Sequence, residues 1–136
     1  MNPADDKLEL EHRFGVDGVL YLFVRGRISN ERLEEFSRFT DEVEKLVKER
    51  VESGVSPVLI LTDITGVTHY ERKPIAVLRE LLSHNKQYPI RSAFVGGNRY
   101  ATLLIDSIAA LLHRSNIKRF TDKESALKWL FAGSAS

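Results

Sequence analysis

Two predicted loops that lead into helices hold the residues most suited to chemistry. They span residues 66–73 and 96–100. The residues in them that could bind an anion are the cations Arg72, Lys73 and Arg99, the paired glycines Gly96 and Gly97, and the amide Asn98. Free N–H groups and partial positive charge at a helix N-terminus favour anions, and paired glycines allow a close backbone approach. One interpretation is therefore a pocket for phosphate, a carboxylate or an acidic partner. We favour the simpler interpretation of a solvated loop surface, because Gly-Gly alone is not a phosphate-binding motif.

Other reactive residues are scattered. The four histidines, at positions 12, 69, 84 and 113, do not have metal-ligand spacing, and the chain has no cysteine. His69 lies two residues before Glu71, a pair that could transfer protons, but no nucleophile or oxyanion arrangement accompanies it. Hydrolase, dinucleotide and phosphate-loop motifs are missing from the sequence. We therefore predict a protein that is not an enzyme, with no catalytic residue, no metal and no cofactor.

Length and charge narrow the class of protein further. The 136 residues predict one domain with an ordered core at about residues 7–132. Lysine and arginine number 20 against 19 acidic residues, so we expect no general attraction to nucleic acid. No apolar run reaches the roughly 20 residues that span a bilayer, and residues 1–6 do not resemble a signal peptide. The absence of cysteine fits a reducing cytoplasm, where we expect the protein to act.

Strand and helix patterns alternate along the chain in the order β-β-α-β-α-β-α-β-α. Strands at 8–14 and 19–24, joined by a turn at Val16-Asp17-Gly18, predict an antiparallel hairpin. Three more strands are expected at 58–63, 90–95 and 117–120. Helices are expected at about 31–52, from Lys73 until a stop at Pro89, at 99–113 and at 124–131. Ser29 or Asn30 is expected to cap the first helix, and Thr121 or Asp122 the last. Asp63 ends a buried strand, where it is expected to cap the following loop. This alternation predicts an α/β fold with a mostly parallel sheet.

Residues 63–78 read DITGVTHYERKPIAVL. This segment, together with the element order, resembles the SpoIIAA-like group of STAS domains. The signature of that group is an apolar strand, an Asp, a short loop with Gly-Val, and Asp-Ser at the start of a helix. The resemblance covers about residues 8–131 and implies the STAS fold, with helices mainly on one face of the sheet. The closing segment, residues 120–130, resembles the divergent STAS/SEC14-like branch.

One departure from the family pattern bears on function. In anti-sigma factor antagonists, the signature Ser is phosphorylated by a partner kinase, and the added charge breaks the complex. Arg72 occupies that position here, with Glu71 in place of the Asp, and arginine cannot accept phosphate there. The resemblance implies a regulatory module without this switch that binds a protein partner, such as an anti-sigma-factor-like kinase. The surface expected to bind the partner spans about residues 65–82 and includes Thr65, Thr68, His69, Glu71, Arg72, Lys73 and Arg79.

The predicted inner strands are apolar on both faces, as Tyr21 and Phe23 alternate with Leu20, Leu22 and Val24. If the helices lie mainly on one face, the other face needs cover from the first hairpin, a second copy of the chain or an apolar ligand. We rank a homodimer first and a lipid-like ligand second. The alternative function is accordingly the binding or sensing of a small molecule, either lipid-like or an anion such as a nucleotide.

Overall fold

The computed structural model describes residues 7–84, 87–96, 99–111 and 116–134. Its strands are β1 (Leu8–Phe14), β2 (Leu20–Ile28), β3 (Val58–Asp63), β4 (Val67–Tyr70), β5 (Ile90–Val95) and β6 (Ile117–Phe120). Its helices are α1 (Leu33–Glu52), α2 (Arg72–His84), α3 (Arg99–Leu111) and α4 (Lys123–Ser134), and a 3-10 turn at Asn30–Arg32 precedes α1. The predicted element order is confirmed, with β4 as an addition.

The strands form one mixed sheet in the order β1-β2-β3-β5-β6, and β4 pairs with the end of β2. The predicted hairpin is confirmed, because β1 and β2 are antiparallel with Phe14 opposite Leu20. The other pairs are parallel. At the hairpin turn, the Asp17 carboxylate accepts hydrogen bonds from the Val19 N–H at 3.0 Å and the Tyr21 hydroxyl at 2.7 Å. Burial, and then the hydrogen bond to Asp17, raises the pKa of Tyr21 to about 12.

The helices α1, α2 and α3 pack on one face of the sheet and form the larger core. The amphipathic pattern of α1 places Phe36, Phe39, Val43 and Val47 against this face. They meet strand residues such as Leu20, which is fully buried. Each such side chain contributes about 1.5–3 kcal/mol by leaving water. The predicted placement of the helices mainly on one face is therefore confirmed.

The fourth helix covers the opposite face of the sheet. Ala126 and Leu130 of α4 are fully buried against β3 and β5. The Arg91 guanidinium stacks 3.8 Å from the centre of the Trp129 ring and donates two hydrogen bonds to the Trp129 carbonyl, at 3.0 and 2.8 Å. This face is thus covered within one chain, where we expected the hairpin, a second copy or an apolar ligand. The predicted homodimer and lipid-like ligand were based on an uncovered apolar face of the sheet, and α4 now covers that face. Both stay predictions.

The helix caps differ in part from the prediction. Asp122 caps α4, because its carboxylate accepts hydrogen bonds from the Ser125 N–H at 2.8 Å and from the Ser125 hydroxyl at 3.1 Å. These bonds lower the pKa of Asp122. The predicted capping of the first helix was wrong. Ser29 forms no side-chain cap there, and the Asn30 side chain binds the start of α2 instead.

Candidate functional site

The segment predicted as the loop 66–73 contains the strand β4, which corrects the prediction. It runs parallel to the end of β2, with Gly26 opposite Val67 and Ile28 opposite Tyr70, and the register shifts after Gly26. Gly26 has φ +91°, and its N–H donates to the Gly66 carbonyl at 2.9 Å. Only glycine fits at position 26, because a Cβ there would collide with the carbonyl oxygen of Lys7. This bulge lets β2 pair with two successive strands on one side.

The turn between β3 and β4 is held by local hydrogen bonds. Asp63 accepts a hydrogen bond from the Thr65 N–H at 2.9 Å, which confirms its predicted capping role. Gly96 follows β5 and packs directly on this turn, where a Cβ would lie 2.8 Å from Cγ1 of Ile64. Close packing therefore explains this glycine without a bound phosphate. The ends of β3 and β5 are paired, with Asp63 opposite Val95. Gly97 and Asn98 lie outside the described residues.

Three hydrogen bonds join the end of β2 and Asn30, which follows it, to Glu71 and the first turn of α2. The Glu71 N–H donates to the Ile28 carbonyl at 2.8 Å. The Glu71 carboxylate accepts from the Asn30 N–H at 2.8 Å, and the Asn30 side-chain oxygen accepts from the Lys73 N–H at 3.1 Å. We call the reciprocal pair of side-chain bonds the Asn30–Glu71 clamp. It fixes the first turn of α2, and with it the direction in which Arg72 projects.

The clamp also bears on anion binding at the start of α2. Free N–H groups at a helix N-terminus attract anions. Here the Lys73 N–H already donates to the Asn30 side-chain oxygen, and the Glu71 carboxylate, which accepts from the Asn30 N–H, adds negative charge at the same helix end. Arg99 is exposed at the first residue of α3. These contacts favour a solvated surface over a phosphate pocket, in agreement with the simpler interpretation.

Exposed polar and cationic side chains surround the clamp. We define the α2 surface as the exposed residues Thr65, Thr68, His69, Arg72, Lys73 and Arg79. Arg72 and Arg79 are two turns apart and share one stripe of α2. Within the described ranges, no ion pair involves Arg72, Lys73 or Arg79. Three cations are therefore available to a partner on this surface.

Sequence reasoning missed Asn30 as a residue of this site. It assigned Asn30 to the helix that follows it, because capping was considered only between neighbours in sequence. The 43-residue separation between Asn30 and Lys73 carries no local pattern. Glu71 was named for its signature position and for a possible proton-transferring pair with His69, and its contact with Asn30 gives that position a structural role.

Other kinds of site find less support. Among residues 7–84, 87–96, 99–111 and 116–134, no three His, Asp or Glu side chains are grouped to hold a metal. No helix in these ranges has both the length and the apolar character needed to cross a membrane. An apolar cavity of about 70 Å³ lies between the sheet and the three helices of the larger core, lined by residues that include Phe39, Leu82 and Phe94. This volume is about half the ~150 Å³ of an engineered apolar cavity that takes up benzene, which is too little for an acyl chain.

Solved structures share this fold at low sequence identity. An uncharacterized protein with a SpoIIAA-like fold from Shewanella loihica PV-4 is 21% identical, with a TM-score of 0.58, over 90% of this chain and 93% of that one. An anti-sigma factor antagonist from Mycobacterium paratuberculosis is 14% identical, with a TM-score of 0.57, over 93% of this chain and 96% of that one. Part of SLC26A9, 20% of its chain, matches 87% of this one at 15% identity and a TM-score of 0.62. These likenesses establish the fold alone.

Sequence comparison identifies the family. No curated protein matches the chain. The SpoIIAA-like family model matches residues 19–131, which include the sheet from β2 onward, most of α4 and the whole α2 surface. Because this match spans most of the sequence, the chain belongs to the SpoIIAA-like family.

Proposed function

We propose that this chain is a non-catalytic regulatory module of the cytoplasm that binds a protein partner through the α2 surface. The partner belongs to the class of regulators that anti-sigma factor antagonists bind, such as an anti-sigma-factor-like kinase. The likeness to the antagonist from Mycobacterium paratuberculosis supports this class, although the fold is all that the two are shown to share.

The observation that carries the proposal is the position of Arg72. It is the first residue of α2, it is exposed, and it follows directly on the Asn30–Glu71 clamp. In the family signature this position holds the phosphorylatable Ser. A guanidinium there keeps a permanent positive charge, so a kinase cannot switch the surface off at this residue. We infer that the module stays competent to bind whatever the state of its partner kinase.

The charges of the α2 surface specify the chemistry of the partner. Arg72, Lys73 and Arg79 are exposed cations without ion pairs in the described part of the chain. Complementary charge sets register and association rate in protein complexes. The partner should therefore present an acidic patch, and its association rate should fall as salt is raised.

The phosphorylation claim is tested with the candidate kinase, ATP and intact-mass spectrometry. We expect the wild-type chain to gain no phosphate, and the Glu71→Asp/Arg72→Ser variant, which restores the signature, to gain one. A phosphate on the wild-type chain at Thr65 or Thr68 would contradict an unswitched surface. Peptide mapping would locate that phosphate.

The docking claim is tested separately by calorimetric titration of the same partner. We expect Arg72→Glu/Arg79→Glu to weaken binding at least about tenfold, since each reversal replaces an attraction by a repulsion. The matched control is Lys128→Glu, an exposed cation on α4 across the sheet, which should leave the affinity unchanged. Equal affinities of all three proteins would refute docking through this surface.

The small-molecule alternative would have to use the apolar cavity between the sheet and helices α1, α2 and α3. Its volume of about 70 Å³ is about half that of an engineered cavity, about 150 Å³, that takes up benzene. A retained ligand would appear as added mass in native mass spectrometry of the purified protein. Such a mass would place ligand sensing ahead of partner binding.

A further inference from the structure

The outer edge of β1 is the longest unpaired strand edge among the residues that the structure describes. β1 is seven residues long, it lies at the end of the sheet and it pairs with β2. In the described chain no strand pairs with its other side. An edge of this kind presents unpaired N–H and C=O groups that can bind another strand.

The hydrogen bonds of the hairpin show which groups point outward. The Gly15 N–H donates to the Val19 carbonyl at 2.9 Å, and the Arg27 N–H donates to the Lys7 carbonyl at 3.3 Å. The register between β1 and β2 is unbroken, and hydrogen-bonded pairs alternate along an antiparallel ladder. Odd-numbered β1 residues therefore bond β2. The N–H and C=O groups of Leu8, Leu10, His12 and Phe14 face the free edge.

The side chains of β1 restrict how a second copy of this strand can pair with it. Only even-numbered residues have outward backbone groups, so in an antiparallel pair of two copies an even-numbered residue must oppose an even-numbered one. The two-fold axis that relates the copies then lies between one residue and the same residue of the second copy. If the axis lies at Leu10, Glu9 of each copy faces Glu11 of the other. If it lies at Glu11, the two copies of Glu11 face each other. If the axis lies at His12, Glu11 of each copy faces Arg13 of the other, and Leu10 of each copy faces Phe14 of the other. Of these three registers, only the third opposes unlike charges and apolar groups in this way. It also places His12, which lies 3.0 Å from the Glu42 carboxylate of its own chain, opposite its own copy.

We propose that the β1 edge binds a second copy of this chain, antiparallel and centred on His12, so that two sheets join into one. The His12 pair and the two Leu10–Phe14 pairs each exchange two backbone hydrogen bonds, which uses the outward groups of Leu10, His12 and Phe14. The Glu11–Arg13 pairs lie at non-hydrogen-bonded positions, where Cα atoms approach to about 4.5 Å and side chains are closest. Glu11 is exposed and forms no ion pair among the described residues, so it is available to the second copy.

This proposal is independent of partner docking, because no β1 residue belongs to the α2 surface. It also differs from the homodimer expected from sequence, which was to cover the face that α4 now covers. The two interaction surfaces can therefore succeed or fail separately.

The test is sedimentation equilibrium of the full chain and four variants over a range of concentrations. We expect the wild-type chain to dimerise. Glu11→Arg and Arg13→Glu should each weaken the dimer about tenfold or more, because each creates two like-charge oppositions. The double variant Glu11→Arg/Arg13→Glu restores opposite charges and should recover most of the affinity. Glu9→Arg is the control and should weaken the dimer less than Glu11→Arg, since Gly15 opposes residue 9 in this register and Arg13 of the second copy lies only diagonally from it.

Several outcomes would overturn the proposal. A wild-type chain that stays monomeric at all concentrations would do so, as would a dimer that neither single variant weakens. If the double variant dimerises no more tightly than the single variants, Glu11 and Arg13 do not pair across the interface. Weakening by Glu9→Arg but not by Glu11→Arg would place the strands in another register. Circular dichroism and Trp129 fluorescence check that each variant is folded, because Trp129 lies on α4 away from β1.

Discussion

Substitution of Asn30 by alanine tests whether the clamp fixes α2. The variant loses the oxygen that accepts from the Lys73 N–H at 3.1 Å, which is the role of an N-cap. Loss of such a cap costs about 1 kcal/mol. We therefore expect urea unfolding to give a free energy of unfolding lower by about 1 kcal/mol. Ser29→Ala is the matched control and should cost less than about 0.5 kcal/mol, because its side chain forms no cap.

Amide hydrogen exchange shows where that loss occurs. In Asn30→Ala, exchange should become faster at Lys73 and in the first turn of α2, while the first turn of α1 should keep its wild-type rates. Ser29→Ala should change neither helix. Faster exchange confined to the first turn of α1, with Lys73 unchanged, would refute the clamp and restore the local capping expected from sequence.

A double-mutant cycle tests whether the two clamp bonds act together. Glu71→Ala removes the carboxylate that accepts from the Asn30 N–H at 2.8 Å, which costs about 1 kcal/mol. Both bonds join the same two segments, so loss of one frees the segments and weakens the other. The double variant should therefore cost less than the sum of the single variants, by about 0.5 kcal/mol or more. Strict additivity would mean that the two bonds are independent.

Three further predictions concern the fold. Gly26→Ala should lower the free energy of unfolding by at least about 2 kcal/mol in thermal melts, because it combines backbone strain with a collision at Lys7; a loss below about 0.5 kcal/mol would contradict this. The pKa of Tyr21 is raised from 10.0 to about 12, so the stability it contributes is complete below pH 10 and is lost as pH rises through about 12. This loss is at most about 2 kcal/mol after solvent screening, and Tyr21→Phe should lack it in alkaline titrations of stability. Arg91→Lys should shift the Trp129 fluorescence and cost about 1–2 kcal/mol, since lysine cannot form the paired bonds; an unchanged spectrum would argue against the stacking.

Patterns contained within one element were predictable from sequence. The α1 stripe from Phe36 to Val47 follows from helical spacing, and the continuous apolar run of β3 indicated a strand covered on both faces. The hairpin turn at Asp17-Gly18 was also predictable, because few residues fit a tight turn. In each case the signal lies within a few consecutive residues.

The missed features depend on residues far apart in the chain. β4 has only four residues, and Thr68 and His69 both face solvent, so its strand pattern is weak. Its pairing depends on the bulge at Gly26, 41 residues before Val67. The role of Asn30 likewise exists only once β2 and α2 are side by side. No periodicity reports such contacts, and the α2 surface itself was proposed from a family signature.

The most direct test of the central claim measures the affinity of the α2 surface for the proposed partner kinase, with ATP and with a non-hydrolysable analogue. Because Arg72 cannot be phosphorylated, the wild-type chain should bind equally tightly in both conditions. The Glu71→Asp/Arg72→Ser variant should release the kinase when ATP is present. A wild-type complex that dissociates with ATP but persists with the analogue would contradict the account.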